Sequence, residues 1–379
     1  MRILFLFIGE PHQIFHALPI AAEMAAAGTD VEVAVASAGH LPVVERVMAA
    51  YPGFSPRIRL LGQRGISHWL RARAIIRHPR LPILFGALRF LRQFDAIVVP
   101  ERTTTAIRHF LPRRTRLIFT PHGAGDRAIM LDPRDRHFDF VLVAGEKSEQ
   151  RLLDAGTIRP GHYALNGYVK LDLMTRLDKT RARLFDNDRP TVLYAPHFHR
   201  GLSSWDRFGR DIIDWFAAQD RYNLVVAPHI RLFAEASDGD RAAIKTLAIP
   251  GKIMIDLDSD RLFDMSYTSG SDLYLGDVSS QVYEFLATPR PCLFLNAHDA
   301  QWVGDPDYLF WTLGDVIDDV ADLPNALDQA AARHSRYIDA QRERLAESIG
   351  GDPAGAAQRG AEAIARFLAK DAAQDKSGG

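Results

Sequence analysis

The sequence predicts an α/β protein made of two doubly wound parallel sheets in series, and three observations carry that prediction. Short apolar, β-rich runs alternate with amphipathic helical patterns from the first residue onward. The alternation breaks at a polar stretch, Arg183–Arg189, and then restarts. The chain has 379 residues, more than one hydrophobic core normally serves, so two domains are expected.

Ile3–Ile8 reads as the first strand. Its apolar run is too short for a signal peptide, has no small-residue cleavage site, and leads into a turn and a helix over Phe15–Ala27 that stops at Gly28. Val31–Ala36 reads as a strand and Leu41–Ala50 as a helix. Further strands are expected at Ile58–Leu61, Ala96–Val99, Leu117–Thr120 and Phe140–Val143. Strands that are continuously apolar must be buried on both faces, which is the signature of parallel pairing under helices. After the break, Thr191–Tyr194, Asn223–Ala227, Ile253–Leu257, Leu273–Leu275 and Cys292–Leu295 form the second set. Helices over Leu323–Ala346 and Ala356–Ala369 close the fold. The expected organisation is a first α/β domain over 1–170, a second over 171–368 whose last helices are expected to return to the first, and a disordered polar tail over 369–379.

Composition excludes several classes. Hydrophobic residues at 47% and charged residues at 25% are ordinary for a folded protein and unlike a disordered or fibrous chain. A formal net charge of −1 provides no global attraction for nucleic acid. The single cysteine, Cys292, has no intramolecular partner, so a reducing, cytoplasmic compartment is expected. No apolar run approaches the roughly 20 residues of a membrane span.

The chemistry-bearing residues cluster at expected strand ends, where ligands bind in open α/β sheets. Asp277, Ser279 and Ser280 lie between a buried strand and a helix. They read either as helix caps or as an anion site, because capping and phosphate binding use the same unpaired N–H groups. His197, His199 and Arg200 follow one strand of the second sheet and His229 follows the next; such groups are natural around an anion and costly to bury alone. His122 sits in the Gly-containing loop after Leu117–Thr120, placed to take a proton from a hydroxyl nucleophile, and His16 is the rival base. Asp256-Leu257-Asp258 reads as a polar strand end and not as a metal site, and no cofactor is expected.

The motifs His122-Gly123, Tyr194-Ala195-Pro196 with Arg200, His229, and Asp277-Val278-Ser279-Ser280 with Glu284 resemble, in order, those of the CDP-glycerol glycerophosphotransferase family, which includes the teichoic acid polymerases. The resemblance implies the GT-B architecture, two Rossmann-like domains facing a central cleft, and metal-independent chemistry. It implies that His122 is the catalytic base, that His229 and the Ser279–Ser280 turn hold a pyrophosphate, that Asp277 shapes that loop, and that Glu284 meets the nucleotide ribose. His197 stands where the family has threonine, His199 is additional, and Ile230 and Val278 replace a proline and a tyrosine; these departures bear on the donor. His16-x-x-Pro19 separately resembles a first-domain loop of UDP-glycosyltransferase-type enzymes, in which a histidine is the base.

One stretch stands apart. Between Glu45 and Asp95 there is no acidic residue, while Arg57, Arg59, Arg64, Arg71, Arg73, Arg77, Arg80, Arg89 and Arg92 interleave with apolar side chains. Such a segment suits either an anionic membrane surface or ordinary packed helices with solvated arginines. The expected function is a transferase that moves a glycerol-phosphate-type unit from CDP-glycerol, or a similar nucleotide-diphosphate donor, to a cell-envelope or lipid-linked acceptor at the inner face of the membrane. The alternatives are a nucleotide-sugar glycosyltransferase, a UDP-sugar 2-epimerase-like enzyme, and a non-catalytic nucleotide-binding protein.

Overall fold

The structure is a computed structural model that describes residues 1–62, 79–121, 131–177, 183–350 and 352–377. These fall into two compact units. The first is drawn from Met1–Ala124, Leu131–Leu177 and Ala346–Gly379, and the second is centred on Asp178–Leu345.

The first unit is built on strands β1 (Arg2–Phe7), β2 (Asp30–Val35), β3 (Arg57–Leu60), β4 (Ala96–Val99), β5 (Arg116–Phe119), β6 (Phe140–Val143) and β7 (Tyr163–Leu165), joined in the order β3-β2-β1-β4-β5-β6-β7. All of its pairs are parallel. Its helices are α1 (Ile14–Ala26), α2 (Leu41–Ala49), α3 (Arg80–Gly86), α4 (Leu88–Leu91), α5 (Glu146–Asp154) and α6 (Val169–Arg176).

The second unit contains β8 (Thr191–Ala195), α7 (Trp205–Ala218), β9 (Asn223–Val226), α8 (Asp238–Lys245), β10 (Ile253–Ile255), α9 (Ser266–Gly270), β11 (Leu273–Gly276), α10 (Gln281–Phe285), β12 (Cys292–Leu295), β13 (Asp315–Ile317) and α11 (Leu323–Arg333). Its sheet is also parallel, in the order β10-β9-β8-β11-β12-β13. Helix α12 (Ile338–Ile349) runs from the second unit into the first, and α13 (Ala356–Ser377) closes the chain.

Burial explains which strands the sequence displays. The inner strands β4, β8, β9, β11 and β12 are buried at every position, since helices cover both faces. The edge strands β7 and β13 are half-exposed three-residue pieces, and neither is visible as an apolar run. The long helix expected over Leu323–Ala346 is divided by a 3-10 turn at His334–Arg336. Beyond Ala369, where a disordered tail was expected, α13 continues to Ser377. Cys292 is buried as a free thiol on β12, and burial pushes its pKa up.

Helix α13 packs on α1, and a buried carboxylate fixes its start. Asp172 of α6 accepts the N–H groups of Gly355 at 3.2 Å and Ala357 at 2.9 Å, so a side chain more than 180 residues upstream performs the capping that α13 needs. Asp172→Ala is expected to cost about 1 to 2 kcal/mol, the usual value of a lost cap. Thermal melting and hydrogen exchange at α13 check this; an unchanged melting temperature with unchanged exchange would show that the cap is dispensable.

Candidate functional site

A doubly wound sheet has one place where the chain reverses its direction of travel. In the second unit the chain steps from β8 to β9 to β10 and then returns to β11 on the other side of β8. The carboxyl ends of β8 and β11 therefore flank the switch point, the crevice where open α/β sheets bind ligands. The loop after β8 carries His197 and Arg200, the loop after β9 carries His229, and the turn after β11 carries Asp277, Ser279 and Ser280.

Asp277 is fully buried and holds these loops together. One carboxylate oxygen accepts the His197 N–H at 2.9 Å and the Val278 N–H at 2.6 Å; the other accepts the Ser204 N–H at 2.6 Å and the Ser204 hydroxyl at 2.9 Å. Because Ser204 spends its proton on Asp277, the buried Tyr194 phenol donates to Ser204 Oγ at 3.0 Å. The Trp311 indole N–H donates to the Asp277 carbonyl at 2.8 Å, and the His229 N–H donates to the Pro196 carbonyl at 3.0 Å. Burial lifts the Asp277 carboxyl to about 6, against the hydrogen bonds from Ser204, Val278 and His197 that pull it down. Both carboxylate oxygens point inward to protein donors, so Asp277 sets the shape of the site from beneath.

The two histidines share a local device. His197 Nδ1 accepts the N–H of His199 at 3.1 Å, and His229 Nδ1 accepts the N–H of Arg231 at 3.2 Å. A backbone N–H can only donate, so each neutral ring carries its proton on Nε2, which is then the donor nitrogen. The ring centroids are 6.0 Å apart, and Phe198 lies 4.4 Å from His197 and 4.6 Å from His229. Two imidazole donors are thus aimed from adjacent strand ends by backbone bonds.

Ser279 is buried, whereas Ser280 is exposed at the N-cap position of α10 and makes no side-chain cap bond. The Ser280 side chain therefore does not cap this turn, while Ser279 Oγ accepts the Gln281 N–H at 3.4 Å. Helix α10 has only five residues, so its dipole is small and the side chains carry most of the polarity. Glu284 is buried within α10. Gly276 admits no side chain, since a Cβ there would lie 2.6 Å from the Tyr274 ring. Arg200 is exposed at an open depression shared with Phe198, Trp205, Arg231 and Phe233.

In the first unit His16 is buried on α1, edge-on to the Tyr168 ring at 5.2 Å. It lines a small pocket with Thr120, Ala144 and Asn166, the residues that follow β5, β6 and β7. His122 lies outside the described residues. The Asp256 carboxylate accepts the Tyr267 hydroxyl at 2.7 Å, the Ser259 N–H at 2.9 Å and the Ser259 hydroxyl, while Asp258 pairs with Arg241 and Lys245. Both acids of that motif are engaged by protein groups, and among the described residues no cluster of three metal-ligating side chains occurs.

Three contributors were not read from the sequence. Ser204 looks like the cap of the helix that begins at Trp205, and nothing local shows that it bonds a carboxylate 73 positions later. Trp311 and Phe198 read as ordinary aromatic core and loop residues.

No protein-family model and no curated protein sequence matches the chain. Solved structures do. The chain is similar to a putative UDP-N-acetylglucosamine 2-epimerase from Listeria monocytogenes, with a TM-score of 0.64 and 13% identity over 96% of this chain and 95% of the other. It is similar to the UDP-GlcNAc 2-epimerase from Neisseria meningitidis bound to UDP-GlcNAc, at TM-score 0.60 and 12% identity over 97% and 100%. It is also similar to the wall teichoic acid polymerase TagF, at TM-score 0.63 and 13% identity over 98% and 90%. The fold is GT-B, with two Rossmann-like parallel-sheet domains.

The Asp277 carboxyl makes a definite pH prediction. Its folded pKa near 6 lies above the ordinary 3.8, so the folded state holds an extra proton between those values and stability falls as pH rises through that window. The stability of the wild type relative to Asp277→Asn is expected to fall by about 3 kcal/mol from below pH 4 to above pH 6, then stay level. Denaturant melts across that range test it; a gap that widens with pH would show that the hydrogen bonds outweigh burial.

Proposed function

We propose that the chain is a nucleotide-diphosphate-dependent enzyme whose second unit holds the pyrophosphate of its donor at the switch point. The observation that carries this reading is the pair of imidazoles, His197 and His229, each fixed by a backbone N–H so that Nε2 donates. Donors set in place before the ligand arrives cost no reorganisation when charge develops on a leaving phosphate. Ser279 and Ser280 add hydroxyls from the neighbouring strand end, and Arg200 adds a cation at the rim. Glu284 is assigned to the nucleotide ribose. Solved structures of similar fold support the ligand class, since one is bound to UDP-GlcNAc and another, a TagF variant, was soaked with CDPG.

The favoured reaction is transfer of a glycerol-phosphate-type unit from CDP-glycerol or a similar CDP-alditol to a hydroxyl of an envelope or lipid-linked acceptor. The acceptor oxygen forms a bond to the β-phosphorus as the bond from that phosphorus to the bridging oxygen breaks, and CMP leaves with the bridging oxygen. His122, assigned by its motif, takes the acceptor proton; His197, His229 and the serine hydroxyls meet the charge that grows on CMP. The ordered motifs from His122 to Glu284 support this reading. A UDP-sugar 2-epimerase is the second reading, supported by the epimerases of similar fold.

Binding and chemistry separate in two experiments. His229→Ala and His197→Ala are each expected to weaken CDP or UDP binding about tenfold or more, the loss of one charge-assisted hydrogen bond, as read by calorimetry. Unchanged affinity in both variants would remove the pyrophosphate site from these strand ends. His122→Ala is expected to lower turnover by about a hundredfold or more with donor affinity retained, while His16→Ala lowers stability and leaves turnover. Product analysis decides the class: CMP released in the presence of acceptor supports transfer, and acceptor-free conversion of UDP-GlcNAc to its 2-epimer supports the second reading.

A further inference from the structure

Helix α3 exposes two large apolar side chains one turn apart, Leu81 at 44% and Phe85 at 44%. The neighbouring 3-10 segment, Thr103–Phe110, packs against α3 and exposes Phe110 at 50%. The rings of Phe85 and Phe110 meet edge to face with centroids 5.4 Å apart, so the two elements present one apolar knob to solvent. The exposed face continues at helical spacing from Leu81 and Phe85 to Arg89 and Arg92, and the chain after Phe110 adds Arg113 and Arg114, also exposed.

The charge around this knob has one sign. Neither segment contains an acid: none occurs between Glu45 and Asp95, and none between Glu101 and Asp126. Other arginines of the basic stretch are committed elsewhere. Arg57 pairs with Asp30 at 3.2 Å, Arg59 pairs with Glu32 at 3.8 Å and lies over the Phe90 ring, and Arg80 pairs with Glu10 at 3.6 Å. Arg64, Arg71, Arg73 and Arg77 lie outside the described residues. Arg89, Arg92, Arg113 and Arg114 make no ion pair with any described carboxylate, which leaves four cations beside three exposed apolar side chains.

We propose that this patch docks on an anionic lipid bilayer, with Phe85, Phe110 and Leu81 entering the interface and the four arginines meeting lipid phosphates. Exposed aromatic side chains carry a large water-to-interface preference, and uncompensated cations next to them select a surface of negative charge. A second copy of this chain fits less well, because a symmetric contact through this patch sets the same four arginines against each other. The inference is independent of which group the enzyme transfers.

The test uses the full chain and co-sedimentation with vesicles of phosphatidylcholine alone or mixed with phosphatidylglycerol. The protein is expected to pellet with the mixed vesicles at about 0.05 M salt and to be released at about 0.5 M, where the screening length is several-fold shorter. Arg89→Glu with Arg92→Glu is expected to lower the partition constant by about 25-fold or more, at about fivefold per arginine. Phe85→Ser with Phe110→Ser is expected to lower it about tenfold or more at unchanged charge. Melting curves and nucleotide binding of both variants, neither of which alters the second unit, separate loss of docking from loss of folding. Equal binding to both vesicle types, no binding to either, wild-type binding by the aromatic variant, or a dimer in light scattering that the aromatic variant abolishes would each overturn the proposal.

Discussion

The candidate site depends on one buried carboxylate. A charged oxygen removed from water must be met by protein donors, and Asp277 meets that requirement with three backbone N–H groups and a hydroxyl. Those donors belong to the loop after β8 and to the turn after β11, so satisfying the charge brings the two sides of the switch point together. Trp311 holds the Asp277 carbonyl from a third direction, and the bond from His229 N–H to Pro196 ties in the loop after β9. The imidazoles are then aimed by short local bonds on a frame that is already fixed. A frame made in this way is rigid because its rigidity comes from desolvated polar groups, whose bonds are costly to leave unmade.

The same economy appears in the first sheet. There the switch point lies between β1 and β4, and the residues beyond those strands are held by polar side chains. His40 Nε2 donates to the Gly9 carbonyl at 3.0 Å while Ser37 bonds its Nδ1 at 2.8 Å. The buried Glu101 accepts the Thr103 and Thr104 N–H groups and so fixes the turn after β4. In both units polar side chains hold loop backbone at the carboxyl edge. Such a scaffold accommodates different chemistries by changing other loop side chains, consistent with polymerases and epimerases sharing it.

Much of the fold was legible because the inner strands are buried on both faces and so appear as unbroken apolar runs. Tyr163–Leu165 and Asp315–Ile317 were not, because three-residue edge strands with exposed faces have no periodicity to display. The stretch after Lys370 is polar in composition, yet it continues a helix whose upstream turns pack on α1, and composition alone does not show that continuation. The polar residues of the site were legible as a set, because parallel strand ends share one edge. What each does was less so. An Asp beside two serines before a helix reads as a cap or an anion floor, and only the folded chain shows its oxygens turned inward to donors as far as 80 positions upstream. The Nε2 orientation of His197 and His229 depends on bonds to residues two positions ahead, which the spacing permits but does not announce.

Net charge conceals a comparable distinction. At −1 the chain is nearly neutral, and the run of arginines from Arg57 to Arg92 looks uniform in the sequence. The structure divides it. Arg57 and Arg59 lie on β3 beside β2, and parallel pairing sets Arg57 opposite Glu32 and Arg59 opposite Ala34, with Asp30 close by, so the neighbouring strand that orders them also neutralises them. Arg89 lies on the short helix after α3 and Arg92 at its C-terminal end, where no neighbouring strand brings an acid. Whether a cation adds to a surface field is therefore decided by the register of the element beneath it, because a carboxylate within about 4 Å cancels most of its distant potential. Charge counted along the chain overstates the field at β3 and understates it at the apolar knob formed by Phe85 and Phe110.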